Sequence, residues 1–146
     1  MLPRPARNNN PGDMMLGPPW RGLMPWSEQN EAQRSEPRFC VFRTIPYGFR
    51  AIKKQLLVYH TVHGCNTVGG KVGYIPRWAP PIENRTDDYV AYVCRDLGVS
   101  PDTVINICEP RTEFTIVKSI ATYETGPRAF ELYYTEDQLK EGLAMP

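Results

Sequence analysis

The chain has 146 residues, with 17 Lys and Arg against 16 Asp and Glu, and this length suits one domain with a sizeable core. So even a charge balance gives no electrostatic case for a general nucleic-acid or membrane-surface binder, and no apolar run approaches the ~20 residues that cross a bilayer. The opening MLPRPARNNNPGDMM has a basic start but no apolar stretch of a secretory signal, so action outside the producing cell would need another route.

Pro3, Pro5, Pro11, Pro18, Pro19, Pro25 and Pro37 crowd the first quarter of the chain. Proline removes a donor and restricts its predecessor, so residues 1–38 read as a long irregular arm. Trp20, Leu23, Met24 and Trp26 argue against plain disorder there, because such residues normally need burial or a ligand. RFCVFRT, residues 38–44, is β-prone and reads as a short strand or extended segment. From Pro46 the spacing turns helical: Phe49, Ile52, Leu56 and Tyr59 recur at three and four, with Thr44 as a cap and Gly64 as a stop. A shorter element between Asn66 and Trp78 is interrupted by Gly69, Gly70 and Gly73, and APPIEN, residues 79–84, reads as a loop. Thr86 reads as the cap of a helix with Asp87 and Asp88 in its first turn, an apolar stripe of Tyr89, Val90, Val93 and Leu97, and Gly98 at its end. In SPDTVINI, Ser100 offers a further cap with Pro101 at the first helical position. The next helix runs from about Arg111 to Glu124, lined by Phe114, Val117, Ile120 and Ala121. Thr135 with Gln138 makes a capping-box pattern for a last one. The sum is a mainly α single domain over residues 1–146: four or five helices in a core of residues 39–146, behind the proline-rich arm.

Cys40, Cys65, Cys94 and Cys108 show no CxxC pairing and read as reduced, partly buried thiols. His60 and His63 are three apart on one helix but lack a nearby third ligand, so no metal site and no cofactor are expected. Phosphate-binding glycine loops, dinucleotide fingerprints and serine-centred nucleophile turns are absent from the sequence.

Three features carry chemistry. RNNNPG, residues 7–12, offers consecutive amides, which suit backbone or hydroxyl-rich ligands. PRWAPPIEN, residues 76–84, is a rigid turn that presents Trp78, Glu83 and Asn84. Glu124 sits in the last turn of its helix, where the helix dipole disfavours negative charge, just before Thr125, Gly126 and Pro127 end it. It is either an ordinary exposed glutamate or an acid held at a cleft for proton chemistry.

RNNNPGD, WRG (Trp20–Gly22), FRTIPYGFRAIKKQLLVYH, HGCNTV, IPRWAPPIENRTDDYVAYVCRDLGV and VKSIATYETG follow in this order. Together they resemble a family of small phage and prophage proteins, described as structural or virion-associated and sometimes as lysozyme-like. The resemblance covers roughly residues 7–126. YETG is also similar to the helix end of peptidoglycan glucosaminidases and lytic transglycosylases of the lysozyme superfamily, whose glutamate is the general acid. Relative to those enzymes the order of segments looks circularly rearranged, so the Glu124 helix is expected beside Asn8, Asn9 and Asn10. The family usually has HENG where this chain has YETG, and PGNI where it has PGDM.

The resemblance implies a compact lysozyme-like fold and an enzyme that cuts the β-1,4 link of bacterial peptidoglycan. In that reading Glu124 gives its proton to the leaving oxygen. Asn8, Asn9, Asn10, Trp20, Trp78, Glu83 and Tyr123 hold the sugars, and Asp13 or Glu83 is a second carboxylate for hydrolysis. Without one, the 6-hydroxyl of the substrate attacks, as in transglycosylases. The implied partners are glycan strands and other virion proteins, with no nucleic acid and no membrane insertion. The implied location is the virion, or the host cytoplasm and then the cell wall during infection. The other implied reading is a virion structural or adaptor protein that keeps the fold without catalysis, its proline-rich arm docking on another chain.

Overall fold

The computed structural model describes residues 1–81 and 84–146. Its proline-crowded start holds short ordered pieces. These are α1 (Arg4–Arg7), entered through proline, and α2 (Glu31–Arg34), closed by a capping box between Asn30 and Gln33. A 3-10 turn, Trp26–Glu28, lies between them. Arg34 ties that turn to α2: its Nε donates to the Trp26 carbonyl at 3.0 Å and its Nη2 to the Ser27 carbonyl at 3.2 Å.

Of residues 38–44, Phe39–Phe42 run extended between a turn at Arg38 and a bend at Arg43 and Thr44, and among the described residues they make only isolated bridges, Met15 with Phe39 and Leu23 with Phe42. Main-chain bonds alternate between two flanking segments. The Cys40 N–H donates to the Met14 carbonyl and the Arg38 carbonyl accepts from Leu16; the Arg43 N–H donates to Gly22 and the Val41 carbonyl accepts from Met24. Cys40, Val41 and Phe42 are buried between these segments. The prolines on both sides keep either edge from growing into a ladder.

The long helix α3 (Ile45–His63) follows the predicted stripe and ends at Gly64, whose φ of 69° is left-handed. Then come α4 (Tyr74–Trp78), α5 (Thr86–Leu97), α6 (Pro110–Thr125), α7 (Ala129–Leu132) and α8 (Glu136–Ala144). Thr135 and Gln138 form the expected capping box of α8. Glu109, one position before α6, accepts from the Thr112 N–H at 2.8 Å and hydroxyl at 2.7 Å and from the Arg111 N–H at 3.1 Å. These bonds, the Thr112 hydroxyl first, hold its carboxyl below the usual range.

Two local expectations need correction. Thr86 is the first helical residue of α5 rather than its cap, and its hydroxyl donates to the Ala79 carbonyl at 2.6 Å. Ser100 caps no helix: its hydroxyl turns to Asp102 and Thr103 within a local turn. The β-branched Thr103, Val104 and Ile105 that follow favour extended backbone over a helix.

The chain divides into two compact units, one of residues 1–52 and 120–146, the other of residues 53–119. In the first, Phe49, Ile52, Ile120, Ala121, Tyr134 and Leu139 form the buried core. The Tyr134 ring stands edge-on to Phe49 at 5.5 Å and to Phe130 at 5.7 Å. In the second, Leu56, Tyr74, Ile75, Val93 and Ile116 are fully or almost fully buried.

Gly48 marks the tightest approach in the first unit. A Cβ there would overlap the Asn9 carbonyl oxygen and lie 2.5 Å from Pro11 Cδ. Glycine to alanine inside a helix ordinarily gains about 0.8 kcal/mol. For Gly48→Ala the opposite sign is expected, a loss of roughly 2 kcal/mol, because the obstacle is main chain and cannot rotate away. Urea unfolding midpoints of the two proteins check it.

The four cysteines are free: Cys40, Cys65 and Cys94 are buried and Cys108 is exposed. Burial pushes the Cys40 thiol up to about 11 and raises that of Cys94 as well. At pH 8, a chromogenic disulfide reagent is therefore expected to titrate one thiol quickly in the native protein, Cys108, and all four after unfolding.

Candidate functional site

The asparagine triplet lies just after α1, in the first unit. Asn8 and Asn10 are fully buried and Asn9 is half-buried. Asn10 works as a clasp: its Nδ2 donates to the Met14 and Cys40 carbonyls, both at 3.0 Å, and its Oδ1 accepts from the Met14 N–H at 3.0 Å. Asn9 has a left-handed φ of 51°, a region asparagine tolerates. Its Nδ2 donates to the Phe42 carbonyl at 3.0 Å. Asn8 Oδ1 accepts from Arg7 Nε at 3.3 Å, while its Nδ2 is buried with no partner among the described residues.

Asp13 follows the triplet with a φ of 48°. Arg4 grips its carboxylate with two bonds, Nε to Oδ1 at 2.9 Å and Nη2 to Oδ2 at 2.6 Å. The same guanidinium lies 3.6 Å over the Phe39 ring and donates from Nη1 to Glu36 at 2.7 Å. Arg7 reaches the other Glu36 oxygen at 2.7 Å. Arg7 and then Arg4 hold the Glu36 carboxyl below its ordinary range.

The end of α6 belongs to the same unit. Glu124 is half-buried in its last turn and Tyr123 is more exposed. Next to them, Thr125 Oγ1 lies 3.4 Å from the Pro11 carbonyl and 2.9 Å from the Tyr134 hydroxyl. The helix end thus meets the loop of residues 8–13 immediately after the triplet. Gly126, with a φ of 137°, turns the chain away. Tyr134 is 3 % exposed. Burial, with the Asp13 charge adding to it, pushes its phenol well above the ordinary tyrosine range.

Trp20, also in this unit, is half-buried, and its indole N–H has no partner among the described residues. Trp78, half-buried at the end of α4, belongs to the other unit. Glu83 lies outside the described residues. His60 Nδ1 is 2.8 Å from the Cys65 carbonyl and 3.2 Å from the Tyr74 hydroxyl, a tie from α3 to the loop that follows it and to the start of α4. Among the described residues no cluster of three or more His, Cys, Asp or Glu could hold a metal ion, and no helix is long and apolar enough to cross a membrane.

Two contributors to this arrangement carry no sequence signal. Arg4 is one arginine among many, and Tyr134 sits in FELYYTED with nothing in its spacing to point to Thr125. Only the packed chain brings Arg4 to Glu36 across 32 positions and Thr125 to Pro11 across 114.

No family model matches the chain. It is, however, 30% identical over 139 residues to Protein P5 of Pseudoalteromonas phage PM2, an alignment that covers 95% of this chain and 79% of that protein. With so much of both chains aligned at that identity, this protein belongs to the family of the phage PM2 Protein P5.

Proposed function

We propose that the protein is a phage virion-associated enzyme with a lysozyme-like fold that cleaves the β-1,4 glycan strand of bacterial peptidoglycan, with Glu124 as general acid. The observation that carries this reading is the junction of Thr125 with Pro11, which puts the carboxyl-bearing turn of α6 at the edge of the asparagine loop. Family membership with a phage protein supports the setting, and the YETG resemblance supports the role of the acid. Glu124 protonates the glycosidic oxygen as the bond to C1 breaks and an oxocarbenium-like sugar forms. Within the first unit, Asn9, Trp20 and Tyr123 are the proposed sugar contacts; Asn8 and Asn10 are fully buried and shape the loop beneath them. Both oxygens of Asp13 accept from Arg4. We take the second step to be attack on C1 by the 6-hydroxyl of the same sugar, whose proton passes to the Glu124 carboxylate, which leaves a 1,6-anhydro end. Other virion proteins are the remaining partners, and the enzyme reaches the wall either on the particle or during lysis.

A second reading has its own support. The amide of Asn10 is committed to main-chain groups, and Met15, Leu16 and Trp26 of the arm are more than half exposed. Those features suit a virion adaptor without catalysis. Purified peptidoglycan incubated with the wild-type protein separates the readings. Clearing of the suspension with release of anhydro-ended fragments supports the enzyme, and reducing ends instead mean hydrolysis. No soluble fragments at all leave the adaptor.

A further inference from the structure

The hydroxyl chain at the end of α6 has a fixed direction. The Pro11 carbonyl can only accept, so the Thr125 hydroxyl donates to it, and the Thr125 oxygen is then left to accept from the Tyr134 hydroxyl at 2.9 Å. Tyr134 can supply that proton: it is 3 % exposed and burial keeps its phenol protonated. Its ring is locked edge-on against Phe49 and Phe130, so the hydroxyl has little freedom to wander. Thr125 is the residue next to Glu124, in the last helical turn. Such a turn frays unless something other than the helix holds it.

We propose that Tyr134 is a positioning residue for the Glu124 acid: by donating to Thr125, which donates to Pro11, it pins the last turn of α6 to the loop of residues 8–13. This rests on the glycosidase reading above. The tyrosine touches no reacting atom; it sets the place from which the neighbouring carboxyl acts. An acid displaced by a fraction of an ångström still meets substrate but transfers its proton more slowly, so the effect belongs in kcat and not in KM.

The experiment is a double-mutant cycle on the full chain with purified peptidoglycan as substrate. Tyr134→Phe and Thr125→Val each remove one hydroxyl and keep the shape. Each is expected to lower kcat about tenfold with KM little changed, and the double variant to fall about tenfold as well, because both break one chain. Thr125→Ser, which keeps the hydroxyl, stays within about twofold of wild type. An active wild type with a Tyr134→Phe variant equally active overturns the tyrosine's role and leaves the glycosidase reading standing. Independent losses that multiply in the double variant, or a loss that Thr125→Ser shares, also overturn it. A wild type without cleavage removes the glycosidase reading, and the positioning role with it.

Discussion

Glu124→Gln is expected to lower peptidoglycan cleavage by about 10²–10⁴-fold, the range typical of losing a positioned general acid. Glutamine matches glutamate in shape and hydrogen-bonding reach but has no acidic proton to give. The expected pattern is therefore a large fall in rate with a thermal midpoint within about 4 °C of wild type. Initial rates of turbidity loss, together with a calorimetric scan of both proteins, check it. An ordinary surface glutamate would leave both readouts unchanged. A glutamate needed only for folding would move the midpoint along with the rate.

Asn10→Ala is expected to destabilise the protein by roughly 3–5 kcal/mol, because it leaves buried main-chain groups without partners. The side chain makes three bonds at 3.0 Å, and alanine makes none of them. The Met14 carbonyl keeps a bond from the Cys40 N–H, but the Met14 N–H and the Cys40 carbonyl lose the amide that served them. Asn10→Asp should cost at least as much: it keeps an acceptor for the Met14 N–H but turns an oxygen toward the two carbonyls and buries a charge. Urea unfolding followed by circular dichroism gives the midpoints. An Asn10→Ala midpoint equal to wild type would show that the clasp contributes nothing. Asn9→Ala should cost less in lost bonds, since Asn9 is only half-buried, but it adds the strain of a left-handed alanine.

Together these substitutions divide the RNNNPG motif into parts. Its middle and last asparagines shape the loop by binding the chain's own backbone, whereas the helix end that meets Pro11 carries the proposed chemistry. Consecutive asparagines in a sequence look like an offer to a ligand. In the folded chain the first recipient of that offer is residues 14 and 40–42, which lie extended without a sheet to satisfy them. A long irregular arm has many unpaired main-chain groups, and burying them requires side-chain amides.

Most of what neighbours within a turn or two govern is legible in the amino-acid order alone. The stripe from Phe49 to Tyr59 makes α3, and Gly64 stops it. Asp87, Asp88 and Gly98 bracket α5, and Thr135 with Gln138 starts α8, because helical spacing and capping are local properties. Where local signals compete they misled, as at Ser100, whose hydroxyl found a nearer partner than a helix. Tertiary packing settles that Asn10 faces the backbone, that Arg4 joins Asp13 to Glu36, and that the Tyr134 and Thr125 hydroxyls line up with the Pro11 carbonyl. Those contacts join residues far apart in sequence whose side chains show no preference for one another until packing brings them together. No periodicity encodes them, because they depend on where the helices end in space and not on how each one begins.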